Sequence, residues 1–159
     1  MNTECEHIAD ELSSTLNGEA WYGDSVRKIL EGVTSEQALS HPIPFAHSIW
    51  ELVHHVDAWC KFANGAVQGI PIPGWPDMPQ EQDFPPVIEK DQKAWQQAIK
   101  SLFANHEKLV GAIKRFGDPR LEETVPGRPY NFYRLFQSAT QHAIYHAGQI
   151  ALLKKAQRS

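Results

Sequence analysis

Apolar residues in this chain recur every three to four positions in four long stretches and alternate in none, which restricts the fold to packed helices before anything else is considered. The first stretch runs from Glu4 to about Asn17, with Ile8, Leu12 and Leu16 on one face. It resumes beyond Gly18 and Gly23 with Val26, Ile29, Leu30 and Val33, so a bent or two-part first helix is expected. Ser35 to Phe45, which holds Pro42 and Pro44, reads as a connection with one helical turn at Ser35–Ala38. Ser48 to about Asn64 predicts the second long helix, stopping at Gly65. Val87 to about Phe116 predicts the third, closed by Gly117, Asp118 and Pro119, and Asn131 to Lys155 the fourth. Between the second and third lies Gly65 to Pro86, where Pro71, Pro73, Pro76, Pro79, Pro85 and Pro86 exclude regular helix. The expectation is an all-α four-helix bundle, a single domain over residues 1–159, with this Pro-rich loop packed on it through Ile70, Ile72, Trp75, Met78 and Phe84.

Composition removes several classes of function. A chain of 159 residues can bury a core without disulfides or a structural metal, so any metal is free to serve chemistry. The formal charge of −4, with no basic run longer than Lys154-Lys155, offers no footprint for nucleic acid. Cys5 and Cys60 stand far apart and read as reduced thiols. No apolar run approaches membrane-spanning length, and the N-terminal residues are acidic, so no membrane partner and a cytoplasmic location are expected.

The histidines carry the functional signal. On the fourth helix, Phe132, Leu135, Phe136, Ala139, Ala143, Ile150 and Leu153 mark the core face, and His142 and His146 fall within that stripe. At i, i+4 spacing two imidazoles present nitrogens to one point a turn apart, which suits a metal ion. With eight histidines in the chain the spacing alone is weak evidence, and the placement is stronger. A buried imidazole without a partner costs about 1–3 kcal/mol. Hydrogen bonds to carbonyls, hydroxyls or buried water are the alternative way to satisfy the pair. On the second helix His54 shares a face with Glu51, Asp57 and Lys61 and should be solvated, whereas His55 sits between Leu52 and Trp59 and should point inward. The expected site is one divalent transition metal on His55, His142 and His146, with at least one open coordination position. His47 reads as a terminal or supporting residue, His7, His41 and His106 as surface or loop residues. Tyr145 and Gln149 flank the ligands without a defined role; Gln149, one turn beyond His146, reads either as a support for that ring or equally well as an ordinary polar residue of the helix surface.

Three strings, Gly18-Glu-Ala-Trp-Tyr-Gly23, His47-Ser-Ile-Trp-Glu-Leu-Val-His-His55 and Gln141-His-Ala-Ile-Tyr-His-Ala-Gly-Gln-Ile150, carry a resemblance to the DinB-like (DinB/YfiT) metal-binding superfamily, in an order and spacing that cover almost the whole chain. The resemblance implies a bundle of up-down-down-up connectivity, often dimeric, that binds zinc, nickel or iron near one end. It places the family's ligands on His55, His142 and His146, with His54 at a usually apolar place. It further implies thiol transfer with low-molecular-weight thiols, thiol-dependent isomerisation or metal-dependent hydrolysis. Tyr22 departs from it, since relatives often carry His there; Trp21 and Tyr22 otherwise read as packing aromatics.

Three functions follow as expectations. The first is an enzyme whose metal activates a thiol or a water toward a small-molecule substrate, with no acid or base to choose between them because Glu51 and Asp57 fall on the solvated face. The second is a non-catalytic metal or small-molecule binding protein with a stress-related role. The third is an interaction protein that uses the loop around Trp75, and the resemblance implies a homodimer.

Overall fold

The computed structural model describes residues 3–74 and 77–158, and within them the chain is an all-α bundle. The helices are α1 (Glu4–Asn17), α2 (Val26–Leu30), α3 (Ser35–Leu39), α4 (Ile49–Val67), α5 (Gln80–Asp83), α6 (Gln92–Lys114) and α7 (Phe132–Ala156), with a 3-10 turn over Asp118–Glu122. The first amphipathic stretch is thus two separate elements, and the expected turn at Ser35 is the short helix α3.

Local chemistry sets the helix ends. Ser48 caps α4 by accepting from the Glu51 backbone N–H, while the Glu51 carboxylate accepts from the Ser48 N–H at 2.7 Å. Asp91 caps α6 and Asn131 caps α7 in the same sense. The third long helix starts at Gln92, behind the Asp91 cap, and not at Val87. The second does not stop at Gly65 but at Val67. Gly69, at φ +85°, is the residue that reverses the chain, and its N–H and that of Ile70 return to the carbonyls of Ala66 and Gly65.

Four helices, α1, α4, α6 and α7, form the bundle, with α4 and α1 each packed against both α6 and α7. Their directions follow from two apolar clusters. One joins the first half of α4 (Ile49 to Val56) to the first half of α6 (Trp95, Leu102, Phe103), the second half of α7 (Ala143 to Leu153) and Leu16 at the end of α1. The other joins Cys60, Ala63 and Ala66 to Leu109 and Ile113, to Phe132 and Phe136, and to Ile8 and Leu12. So α4 and α6 run parallel to each other and antiparallel to α1 and α7, the up-down-down-up order.

A parallel pair cannot be joined by a short turn. α4 has 19 residues, about 28 Å at 1.5 Å per residue, and the connection must retrace that length. The Pro-rich segment does so, but it is not free of helix as expected: the proline-free run between Pro79 and Pro85 forms the single turn α5. Ile72 and Met78 are buried, and the Ile72 N–H donates to the Pro126 carbonyl at 3.0 Å; Ile70 is exposed. Trp75 lies outside the described residues. Two other aromatics depart from expectation: Trp21 is fully exposed and Tyr22 is 45% exposed, on the turn at Ala20–Gly23 between α1 and α2.

Trp95, with no exposed surface, donates its indole N–H to the Val33 carbonyl at 2.7 Å, pinning the segment before α3 to α6. Trp95→Phe leaves that carbonyl without its indole donor. It should cost about 1–3 kcal/mol, read as a lower urea midpoint with unchanged helix content; an unaltered midpoint would show that the bond carries no stability.

Candidate metal centre

His55 occupies the inward face of α4, two turns after the Ser48 cap, and His142 and His146 lie one turn apart on α7 at the level where the two apolar clusters meet. The centre is therefore about midway along both helices and not near an end. His55 and His146 are buried and His142 is half-buried. The Nε2 atom of His142 lies 2.9 Å from His55 Nε2 and 3.1 Å from His146 Nε2, and one nitrogen from each ring fits within a group no more than 4.8 Å across. Helix registry explains the convergence: antiparallel α4 and α7 bring one turn of each into contact, and Leu52, Val56 and Ala143 belong to the apolar cluster on that side.

The outward edges of the rings are tied to oxygen. His55 Nδ1 donates to the Asp83 carbonyl at 2.7 Å, with the Asp83 carboxylate at 3.2 Å. His146 Nδ1 donates to Gln149 Oε1 at 2.6 Å. Both rings then carry their proton on Nδ1 and a lone pair on Nε2. His142 Nε2 faces both lone pairs and has one proton at most, which can satisfy one of them. The other contact sets lone pair against lone pair, and a cation at the meeting point removes that conflict. Four-coordinate imidazole sites with metal–nitrogen bonds near 2.1 Å place their nitrogens about 3.4 Å apart; the two short contacts would open by a few tenths of an ångström and the third pair, within 4.8 Å, would close toward the same value to accommodate an ion. The donor set fits a divalent transition metal.

Charge points the same way. Burial is the largest influence on all three rings and lowers their pKa values. It pushes His142 down to about 3, helped by His146 and His55. The Asp83 oxygens oppose the shift at His55, and Gln149 opposes it at His146. Neutral rings are the form that binds metal.

The crossover from α4 to α6 builds the outer wall. Phe84 stacks on His55 at 4.1 Å and on His47 at 4.0 Å between ring centroids, and Trp59 donates to the Asp83 carboxylate at 2.7 Å. Beside the centre is a cavity of about 420 Å³ lined in part by Trp59, Tyr130, Tyr145 and all three imidazoles. Tyr145 lies with its ring 4.9 Å from His146, and Tyr22 does not line this cavity.

Several sequence expectations need correction. His54 is not solvated: it accepts from the Trp50 indole at 3.0 Å and donates Nδ1–H to the Pro85 carbonyl at 3.0 Å, stapling the crossover to α4. Asp57 is buried, accepting from Ser101, Asn105 and Lys61. His106 is neither surface nor loop but 2% exposed on α6. Glu51 is half-buried, as its capping role requires, while His7 and His41 are exposed as expected. The first two corrections share a cause: α4 has α6 on one side and the crossover on another, so its polar face is covered as well as its apolar one. His106 had a signal, since it continues the Leu102, Leu109, Ile113 stripe. Phe84 was among the apolar anchors expected for the loop and packs as one, although nothing in the sequence named His55 as its partner; Asp83 had no signal, because nothing local links a loop carbonyl to a histidine 28 positions away.

Acid should expose this arrangement. His55, His106, His142 and His146 all have folded-state pKa values below the unfolded 6.5, so the unfolded chain takes up protons first. Their contribution to stability is fully present above pH 6.5 and is lost as pH falls toward the folded values. The metal-free protein should show a falling urea midpoint between about pH 6.5 and 5, above the range where ordinary carboxylates titrate; a flat midpoint there would contradict the buried, neutral state of the rings.

Comparison with known proteins adds the family. No curated protein and no solved structure matches the chain. The sequence profile described as the DinB superfamily matches residues 20–150, which include all three converging histidines together with the crossover that covers them. With a match over most of its length, and the helical architecture and histidine cluster described above, this chain belongs to the DinB superfamily.

Proposed function

We propose that the chain holds one divalent transition metal, zinc or nickel before iron, on the Nε2 atoms of His55, His142 and His146, and acts as a metal-dependent enzyme of the thiol-dependent transferase or hydrolase type. The observation that carries this reading is the convergence of three ring nitrogens, two of them on rings whose opposite edges donate outward, beside a cavity that a small molecule can occupy. When bound, such a metal lowers the pKa of a thiol or water at its open position and so supplies a nucleophile near neutral pH.

The chain's own residues prepare that position. The Asp83 carbonyl and Gln149 fix the tautomers of His55 and His146 and so aim their lone pairs. Phe84, stacked on His55, and Trp59, anchored to Asp83, exclude water from one side. The cavity leaves the other side open. Two guanidinium groups flank Tyr130 on the cavity wall: Arg128 Nε donates to its hydroxyl at 3.3 Å, and Arg134 lies 5.6 Å from the ring centroid. Neither arginine lines the cavity, so the choice between a thiol co-substrate and hydrolysis falls to a turnover panel.

Protein purified without a nickel column should contain about one equivalent of divalent metal. His55→Ala, His142→Ala and His146→Ala should each lose it, along with turnover in a panel of thiol-plus-electrophile and ester substrates, while keeping the helical circular-dichroism spectrum. Full metal retention in all three variants would sink the metal reading; bound metal with no turnover anywhere in the panel would leave a binding protein and not an enzyme. Gln149→Leu, which removes only the acceptor for His146 Nδ1, should weaken metal affinity by about 10–100-fold, measured by competition with a chromophoric chelator; affinity equal to that of the unmodified chain would deny Gln149 its orienting role.

A further inference from the structure

A fourth imidazole faces the same cavity, and the proposed metal centre does not use it. His106 lines the cavity from α6 and is 2% exposed. Its Nδ1 lies 2.7 Å from the Leu102 carbonyl. A carbonyl only accepts, so Nδ1 carries the proton and Nε2 of the neutral ring is an acceptor. Among the described residues no side chain or backbone group donates to that Nε2. It is not among the fully enclosed polar atoms without a partner, which among the described residues are Asn64 Oδ1 and Thr140 Oγ1, so it keeps access to the cavity that His106 lines and is set for a donor from outside the chain.

The surrounding wall says what sort of molecule brings that donor. Val56, Trp59, Ala63, Leu135 and Ala139 are apolar, and among the described residues no Lys or Arg lines the cavity. The carboxylate in its wall, that of Asp83, is engaged by the Trp59 indole and by His55. The interior therefore suits an apolar body without formal charge, and a volume of about 420 Å³ admits a molecule of two fused rings. Tyr130, Ser138 and Tyr145 bring hydroxyls to the same wall; an acceptor with no donor on this chain, as His106 Nε2 is, selects for orientation because a ligand lacking the matching group leaves it unsatisfied.

We propose that His106 is a ligand-recognising residue whose Nε2 accepts a hydrogen bond from the hydroxyl or N–H of an uncharged, mainly apolar small molecule, holding it beside His55, His142 and His146. This deepens the enzymatic reading by naming the class of its acceptor substrate, and it rests on that reading only in treating the bound molecule as substrate. The binding itself needs no metal.

The test is calorimetric titration with 2-naphthol and with 2-methylnaphthalene, which replaces the hydroxyl by a methyl group of similar size, on metal-free and zinc-loaded protein. The naphthol should bind roughly three- to ten-fold tighter in both forms, the range of one neutral hydrogen bond. In His106→Leu that preference should vanish while zinc content stays unchanged; the Leu102 carbonyl keeps its backbone helical partner in this variant. In the unmodified chain labelled with 15N-histidine, the His106 Nε2 resonance should shift on adding the naphthol and not on adding the hydrocarbon, a readout that decides the matter if His106→Leu does not fold. The proposal is overturned if neither probe binds, if the preference survives in His106→Leu, if it appears only with zinc present, or if the Nε2 resonance does not move. Intact discrimination in a protein that binds no zinc would instead support the role of His106 and count against the metal centre alone.

Discussion

The parallel course of α4 and α6 is the constraint from which the site follows. Parallel neighbours oblige the chain to travel back along the bundle, and the returning segment must lie against the helix it has just left. In this molecule it lies across the face of α4 that carries His54, His55 and Trp59, and it reaches His47 just before that helix. Prolines suit such a segment because they keep it extended and withhold backbone donors that would otherwise be buried without partners. The carbonyls of Asp83 and Pro85 then become acceptors for two adjacent histidines, so groups that could each have been buried without a partner become the fastening of the crossover.

The same fastening creates the chemistry. An imidazole held by hydrogen bonding at Nδ1 has a defined tautomer and a defined direction for its remaining lone pair. His55 and His146 are both held in this way, one by a loop carbonyl and one by a glutamine a turn along its own helix. His142 lies between them, its proton affinity lowered first by burial and then by both neighbours. Histidines that only filled a core would be expected to find separate acceptors for their nitrogens; here three nitrogens are turned on one another, an arrangement that a cation would satisfy.

Much of this is readable in the residues. The periodicity of Ile8, Leu12 and Leu16, of Leu52 through Ala63, and of Phe132 through Leu153 specifies helices and their buried faces. Both His142 and His146 fall inside such a face, as does His55. Helix ends are less legible: Gly65 and Gly69 are both suitable stops, and only the backbone turn at Gly69 distinguishes them. Asp57 and His54 look solvated in the sequence because a one-dimensional pattern shows which face of a helix is apolar, not how many neighbours surround it. Where α6 and the crossover cover the polar face, charged and polar groups become buried and are satisfied by Ser101, Asn105, Lys61 and Pro85.

By itself the sequence determined the helical class, the three candidate ligands and the place of the crossover, because each is encoded by the spacing of residues close together in the chain. Only the tertiary structure decided which oxygen orients each ring, that Phe84 is stacked on His55, and that His106 opens on the same cavity as the other three imidazoles. Most of those relations join residues separated by tens of positions. They arise from the angle, register and direction at which whole helices meet, and local spacing carries no record of these.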